Sequence, residues 1–168
     1  MKSWVGAVAL AGLVLLPACT SSGASTEQVT ETRTPSASGR DLPAQSLNKG
    51  ECGLFLWSVS GDPAFIFFSQ AGSQEARAMI AGAEHPLDFV GANGDVFGQF
   101  QVDQRWASPE TGHMVDLSVQ PGENVVAGQT VPSGRMKLTD SAGWETIIPV
   151  AGMVGCQEDV AGGPDSAP

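Results

Sequence analysis

Basic residues and tyrosine are the clearest shortages in this sequence. It contains no tyrosine, and 8 lysines and arginines stand against 18 aspartates and glutamates, so the net charge is −10 at pH 7. Between the second and third cysteines only four residues are basic: Arg77, Arg105, Arg135 and Lys137. A nucleic-acid-binding surface needs clustered basic side chains. This balance therefore excludes a nucleic-acid partner, whereas it favours the approach of a basic protein.

Catalytic signatures are also missing. The sequence has no G-x-S-x-G or H-E-x-x-H motif and no glycine-rich phosphate loop. Its two histidines are His85, followed by Pro86 in a predicted turn, and His113 at the start of a predicted strand, and each is expected to be solvated. Five carboxylates could supply an acid–base pair: Asp88, Asp95, Asp103, Asp116 and Glu145. Their spacing in the sequence does not identify which two would form the pair, because such pairs are defined by distance in the folded protein. We expect no enzyme activity.

Long apolar runs are absent except at the N-terminus. The run from Val5 to Leu16 is 12 residues long and uncharged, and Lys2 precedes it. A helix that spans a bilayer needs about 20 apolar residues. The run therefore has the length and the flanking charge of a secretory signal peptide, which we assign to residues 1–18.

The residues that end this segment, Leu16, Pro17, Ala18 and Cys19, resemble the lipobox of bacterial lipoproteins. The resemblance implies cleavage before Cys19 and attachment of diacylglycerol to its sulfur, so that acyl chains hold the mature protein at a membrane. In cells with two membranes, lipoproteins with aspartate after this cysteine tend to stay in the inner membrane. Thr20 stands there, so the resemblance implies the periplasmic face of the outer membrane rather than the outer face of the inner membrane.

The chain has three cysteines, an odd number that cannot pair completely. With Cys19 assigned to lipid, we expect Cys52 and Cys156 to form one disulfide, because thiols outside the cytoplasm oxidise. Such a bridge would join the first and last strands of the folded region. Two cysteines with no nearby histidine are too few ligands for structural zinc. We therefore expect no metal, and no motif indicates a cofactor.

Composition divides the mature chain into one folded domain and two flanking segments. Residues 19–49 are rich in Ser, Thr, Ala and Pro, which predicts a flexible linker after the lipidated cysteine. This segment holds only three large aliphatic residues: Val29, Leu42 and Leu47. Residues 158–168 are expected to be a disordered tail. The folded domain is thus predicted over residues 50–157, a length that supports one core.

Within residues 50–157 the apolar pattern has a period of two, and turn residues are frequent. Residues 53–59 and 64–70 are apolar and aromatic runs on either side of the turn sequence SGDP, which predicts a central hairpin. Residues 114–120 place three valine and leucine side chains on one face. About eight such runs, spaced about ten residues apart, predict an all-β fold. We expect a single small antiparallel sandwich or barrel of about eight short strands, closed by the disulfide.

Local signals inside this domain predict one turn and leave one segment with two interpretations. Asn93 and Gly94 form a strong two-residue hairpin signal, with the returning strand ending at Trp106. Residues 73–81 favour a strand, and a short helix capped near Ser73 is the alternative.

Two tryptophans are candidates for the core or for a partner surface. Trp57 lies in the most apolar run and is predicted to be core. Trp106 ends a polar strand just before the loop sequence ASPETG. Core packing is favoured for Trp106, and an exposed partner-binding side chain is the alternative.

Three functional hypotheses follow. The first is a cell-envelope lipoprotein with a non-catalytic structural or protein-binding domain, whose partners are the membrane, through the lipid, and an envelope protein. The second is an inhibitor of an envelope hydrolase. The lipid anchor, β domain and terminal disulfide are similar to those of small periplasmic lysozyme inhibitors, in which a serine–glycine pair like Ser133 and Gly134 occurs, usually followed by a tyrosine that is missing here. The third is a hydrolase with a carboxylate pair. The oligomeric state is left open.

Overall fold

The computed structural model describes residues 39–158, and within this range the regular elements are β-strands. Nine strands follow one another along the chain: β1 (Cys52–Ser58), β2 (Phe65–Gln70), β3 (Glu75–Ile80), β4 (Ala83–Phe97), β5 (Phe100–Ala107), β6 (Met114–Gln120), β7 (Asn124–Val125), β8 (Gly128–Thr139) and β9 (Glu145–Cys156). Aromatic and β-branched residues between glycine, proline and aspartate favour this conformation. The predicted all-β class is confirmed.

Eight of the nine strands form a closed antiparallel barrel. β1 to β6 pair in chain order, β6 pairs with β8, β8 pairs with β9, and β9 returns to β1. The two-residue β7 lies between β6 and β8 in the chain and pairs with β8. Of the two predicted architectures the barrel is the observed one, since closure pairs both edges of each of these eight strands.

The barrel closes where its first strand meets its last. β1 and β9 are antiparallel, with Cys52 opposite Cys156 at one end and Ser58 opposite Val150 at the other. The two cysteines are joined by a disulfide. The predicted bridge between the first and last strands is therefore confirmed. We call this β1–β9 pairing the seam.

A glycine permits close contact of the strands in the seam. Gly152 of β9 lies opposite Leu56 of β1. A Cβ atom at position 152 would lie 1.9 Å from the carbonyl oxygen of Phe55, far inside any van der Waals contact. The absence of a side chain at this position thus allows the two backbones to pair.

Alternate residues of each strand fill the barrel interior. In β6, Val115, Leu117 and Val119 are buried, whereas Asp116 and Ser118 between them are partly exposed. The largest fully buried side chains of the other strands are Leu54, Leu56, Phe67, Ile80, Leu87 and Met136. Because successive side chains of a strand point to opposite faces, the residues between these positions form the outer surface.

The strongest turn signal in the sequence does not mark a turn. Asn93 and Gly94 lie inside the 15-residue β4, and the chain reverses instead between Phe97 and Phe100. Gly94 has a φ of +82° where the β4–β5 register is irregular, so its conformational freedom serves a bulge. The predicted hairpin turn at Asn93–Gly94 is wrong, and the returning strand starts at Phe100.

The displaced turn lets the β4–β5 hairpin cover one end of the barrel. Phe97 and Phe100 at its tip are buried in the core. A Cβ atom at Gly98 would lie 2.9 Å from a side-chain carbon of Val154, and Gln99 Nε2 donates a hydrogen bond to Cys52 Sγ at 3.1 Å. The hairpin tip therefore packs against the disulfide end of the seam.

The segment with two interpretations is a strand. β3 covers most of residues 73–81, as favoured, and the alternative of a short helix is not observed there. The next strand begins at Ala83, so His85 and Pro86 lie in β4 opposite Ala78 and Arg77. The predicted turn at Pro86 is therefore wrong.

The described end of the predicted linker lies against the barrel. Leu42 is only 3% exposed, and its backbone N–H donates to the Phe65 carbonyl oxygen at 2.7 Å. Asp41 Oδ1 accepts a hydrogen bond from the Phe65 N–H at 2.7 Å. Asp41 and Leu42 therefore pack with the folded domain, although the predicted linker extends to residue 49. One buried aliphatic side chain and two hydrogen bonds attach this short stretch to β2.

Substitution of Leu42 tests whether this packing stabilises the domain. We expect Leu42→Ala to lower the free energy of unfolding by about 2 kcal/mol, because it removes a buried side chain and leaves a cavity. Chemical denaturation measures the loss. Leu47→Ala is the matched control, since Leu47 is partly exposed and should cost less than about 1 kcal/mol. Equal small losses for both variants would contradict the structural role of Leu42.

Several predictions lie outside the described residues. The signal peptide at residues 1–18, the lipobox with Cys19, the linker up to residue 38 and the tail from residue 159 belong to this group. Among residues 39–158, no helix is both long enough and apolar enough to cross a membrane.

Candidate functional site

Four aromatic side chains lie on the outer face of the barrel rather than in its core. Phe55 and Trp57 of β1, and Phe65 and Phe68 of β2, are all partly exposed. Because Leu54 and Leu56 of β1 point inward, Phe55 and Trp57 between and beyond them must point outward. We call these four rings the aromatic surface.

A β-bulge brings the rings of the two strands together. The β1–β2 register shifts between Leu56 and Trp57, which places Phe65 opposite Trp57. The centroids of these two rings are 5.0 Å apart, and those of Phe55 and Phe68 are also 5.0 Å apart. Phe55 links the two pairs at 6.0 Å from Phe65. Such ring pairs contribute about 0.5–1.5 kcal/mol each beyond burial, so the rings support one another in a fixed arrangement.

Charged side chains border the aromatic surface on the side of β3 and β4. Arg77 of β3 lies opposite Phe68, and its guanidinium donates to Glu84 at 2.7 Å. Glu75 and Arg77 also line a shallow depression of about 590 Å³ beside Phe68. The aromatic surface is therefore an apolar patch with a charged rim, the arrangement found where proteins associate.

A second concave region lies on the outer face of β4, β5, β6, β8 and β9. It encloses about 760 Å³, and its lining includes Asp103, Asp116 and the three basic side chains Arg105, Arg135 and Lys137. Two exposed apolar side chains, Val90 (53%) and Ile147 (62%), also line it. We call this region the charged groove. It holds three of the four basic residues between the disulfide cysteines.

Cross-strand ion pairs run across the charged groove. Arg105 Nε donates to Asp116 Oδ1 at 2.5 Å, and Lys137 Nζ lies 3.5 Å from Asp116 Oδ2 and 2.9 Å from Glu145 Oε1. Register explains the contacts, because Asp116 of β6 is directly opposite Arg105 of β5 on one side and Lys137 of β8 on the other. Partial burial raises the pKa of Asp116, but hydrogen bonds and charge from Arg105 and Lys137 outweigh this and lower it. Asp116 is thus held ionised and is unsuited to donate a proton.

Acid titration and Asp116→Asn test this ion-pair network. Because the pKa of Asp116 is lowered in the folded state, its contribution to stability is present above the unfolded value of 3.8 and is lost as the pH falls through the folded value. We expect Asp116→Asn to lower the free energy of unfolding at pH 7 by less than about 1 kcal/mol, since solvent screens the pairs. Denaturation of both proteins between pH 7 and pH 2 should show the difference shrinking with acid. A constant difference would contradict the electrostatic cause.

The structure brings three of the five predicted acid–base candidates to the charged groove. Asp103 and Asp116 line it, and Glu145 is ion-paired to the same Lys137 as Asp116. Asp88 and Asp95 do not line this groove. In residues 39–158, no three histidine, cysteine or acidic side chains are grouped as a metal site.

The two histidines make local contacts with neighbouring loop residues. His85 Nδ1 lies 2.9 Å from Glu110 Oε2, and His113 Nδ1 lies 2.8 Å from Thr111 Oγ1. Both partners belong to the loop between β5 and β6. The His85 contact joins this loop to β4, whereas the His113 contact lies within the loop.

Of the two tryptophan predictions, one is confirmed and one is wrong. Trp106 is 2% exposed and packs edge-on against Phe67 and Phe89, so core packing is confirmed and an exposed partner-binding role for Trp106 is wrong. Trp57, predicted to be core, lies on the aromatic surface. Trp144, for which no role was predicted, is 78% exposed.

The sequence contained a signal for the aromatic surface. The run GLFLWSV is apolar at successive positions, so both faces of β1 carry large side chains. In an antiparallel barrel one face is inside, and the other faces outward. Aromatic residues at every second position of such a run therefore indicate an apolar outer patch.

Comparison with protein-family models, curated proteins and solved structures finds no match to this chain. The class that the fold defines is a closed eight-stranded antiparallel barrel whose first and last strands are joined by a disulfide. The aromatic surface and the charged groove are the outer features of this barrel that bear on its function.

Proposed function

We propose that this protein is a lipid-anchored binding protein of the cell envelope that acts without catalysis. Cys19 would carry the acyl chains at the periplasmic face of the outer membrane, as the lipobox resemblance implies. The Cys52–Cys156 disulfide supports this, because such bridges persist in oxidising compartments. Acyl chains on one residue hold a domain at the membrane without a transmembrane helix.

The observation that carries the proposal is the aromatic surface. Phe55, Trp57, Phe65 and Phe68 expose part of their rings although the barrel interior is already filled by other side chains. Stacking fixes the rings before any partner arrives, so little conformational entropy is lost on binding. Clusters of this kind are common at the energetic centres of protein interfaces.

Charge indicates the chemistry of the partner. The chain has a net charge of −10. The acidic side chains Glu75, Glu84 and Asp88 are exposed on β3 and β4, next to the depression that borders the aromatic surface. A basic protein would be steered towards this face by long-range attraction. We therefore propose a basic envelope protein as the partner.

A lysozyme-like envelope hydrolase is the second candidate as partner, with this protein as its inhibitor. The closed barrel with its terminal disulfide is similar to the plan of small periplasmic lysozyme inhibitors. Ser133 is exposed and Gly134 follows it at an irregularity in the β8–β9 register. The third hypothesis, a hydrolase with a carboxylate pair, is less well supported, since Asp116 and Glu145 are already ion-paired with Lys137.

Binding of immobilised protein to a basic lysozyme and to purified basic envelope proteins tests the proposal. We expect Trp57→Ala and Phe68→Ala to weaken the complex at least about tenfold, as is typical for aromatic residues at an interface centre. Trp144→Ala is the matched control, because Trp144 is exposed elsewhere on the surface. The association rate should also fall with added salt.

Two results would contradict the proposal. One is binding that the control variant and the aromatic variants weaken equally. The other is the absence of any saturable basic partner for folded protein, with folding verified by denaturation. The anchor is tested separately by intact-mass measurement of the mature protein, which should begin at an acylated Cys19, and an unacylated N-terminus would exclude it.

A further inference from the structure

The disulfide end of the barrel contains a small cavity that adjoins the charged groove, with which it shares Ala92 and Gln104. It encloses about 140 Å³ between the β2–β3 turn and the β4–β5 hairpin. Ser69, Gln104 and Trp106, which are 1%, 5% and 2% exposed, point inward from the strands that line it. Gln74 and Gln99 lie at its exposed edge. The cavity thus has a buried floor and an accessible rim.

Two polar atoms in the floor have no hydrogen-bond partner among residues 39–158. These atoms are Ser69 Oγ and Trp106 Nε1, and both are buried. A buried polar group without a partner destabilises a fold, so such groups are rare in proteins. The indole N–H can only donate, whereas the serine hydroxyl can donate and accept. A guest in this cavity must therefore present a hydrogen-bond acceptor.

The other lining groups complete a site for a neutral molecule. Gln104 Nε2 donates to the Gln101 carbonyl oxygen at 2.9 Å, which leaves the Gln104 Oε1 atom to accept. Phe89, Phe100 and the Trp106 ring supply apolar walls. None of the lining residues is ionisable, although the chain carries 18 acidic side chains. The lining therefore matches an uncharged ligand with both an acceptor and a donor.

We propose that this cavity binds a small neutral amide, such as an acetamido group. Its carbonyl oxygen accepts from Trp106 Nε1–H and Ser69 Oγ–H, its N–H donates to Gln104 Oε1, and its methyl group packs against Phe89 and Phe100. The cavity volume suits a group of a few heavy atoms, since a cavity of about 150 Å³ holds a molecule the size of benzene. The inference does not depend on the proposed protein partner, because that partner would bind the outer aromatic surface.

Titration of the folded protein with acetamide, monitored by NMR, tests this inference. The indole N–H signal of Trp106 reports directly on the cavity, and Trp106→Phe identifies that signal. We expect a saturable shift of this signal, with no shift for the exposed Trp144 indole. Ser69→Ala should weaken binding about fivefold. Acetate, which has the same shape and a negative charge, should bind at least about tenfold more weakly, because nothing in the lining neutralises it.

Further probes distinguish the sources of the amide. N-methylacetamide represents a peptide bond, and N-acetylglucosamine represents an acetylated sugar, and tighter binding of one identifies the natural source. Absence of a saturable Trp106 shift with all three amides would show that the cavity holds water only and would overturn the proposal. Equal shifts with acetamide and acetate, or unchanged affinity in Ser69→Ala, would overturn it as well.

Discussion

Replacing both Cys52 and Cys156 by alanine is expected to lower the free energy of unfolding by about 4 kcal/mol. The two residues are 104 positions apart in the chain. A bridge over about 100 residues contributes about 4.7 kcal/mol in the chain-entropy model, because it restricts the unfolded chain. Denaturant unfolding of the wild-type and double-variant proteins measures the difference.

Reductant provides an independent measurement of the same effect. It should destabilise the wild-type protein and leave the double variant unchanged. Cys19→Ala is the matched control, since it removes a cysteine while keeping the pair. Equal stability of the double variant and the wild type would mean that the strand pairing of the seam closes the barrel without the bridge, contrary to our expectation.

Gly152→Ala is expected to lower the free energy of unfolding by about 3 kcal/mol. The added methyl group would lie 1.9 Å from the Phe55 carbonyl oxygen and 3.0 Å from Leu56 Cα. Both atoms belong to the backbone of β1, so no side-chain rotation relieves the clash. The seam must open locally, with loss of hydrogen bonds between β1 and β9.

Gly91→Ala is the matched control for this substitution. Gly91 lies in β4, and a Cβ atom there would have no neighbour within 4 Å. We expect a change of less than about 0.5 kcal/mol. Thermal or denaturant unfolding compares the two variants. Equal losses would show that the general replacement of a strand glycine, rather than the close approach to Phe55, determines the cost at Gly152.

The seam also connects stability with the proposed binding function. Phe55 and Trp57 belong to β1, which pairs with β9 in the seam and with β2 beneath the aromatic surface. Opening the seam at Gly152 moves the backbone of Phe55, which links the ring pairs. Variants of the seam should therefore weaken partner binding together with stability, whereas Leu42→Ala should leave the ring positions of β1 unchanged.

The candidate sites were only partly predictable. The apolar run of β1 predicts a strand with Trp57 in the core. In a small barrel only the inward face of each strand is buried, so Phe55 and Trp57 lie on the outer surface. The charged groove depended on the register of β5, β6 and β8, which aligns Arg105, Asp116 and Lys137. Strand register across a barrel is a long-range property and cannot be inferred from local spacing.

By itself the sequence determined the all-β class and the inward face of strands such as β6, because both follow from a local period of two. The pairing of Cys52 with Cys156 was predictable once the lipobox resemblance assigned Cys19 to lipid and left two thiols. Only the tertiary structure decided that the sheet closes into a barrel, that the chain turns after Phe97 rather than at Gly94, and that Ser69 and Trp106 share a cavity. The physical reason is that closure, bulges and cavities depend on contacts between residues far apart in the chain, where packing overrides local turn preference.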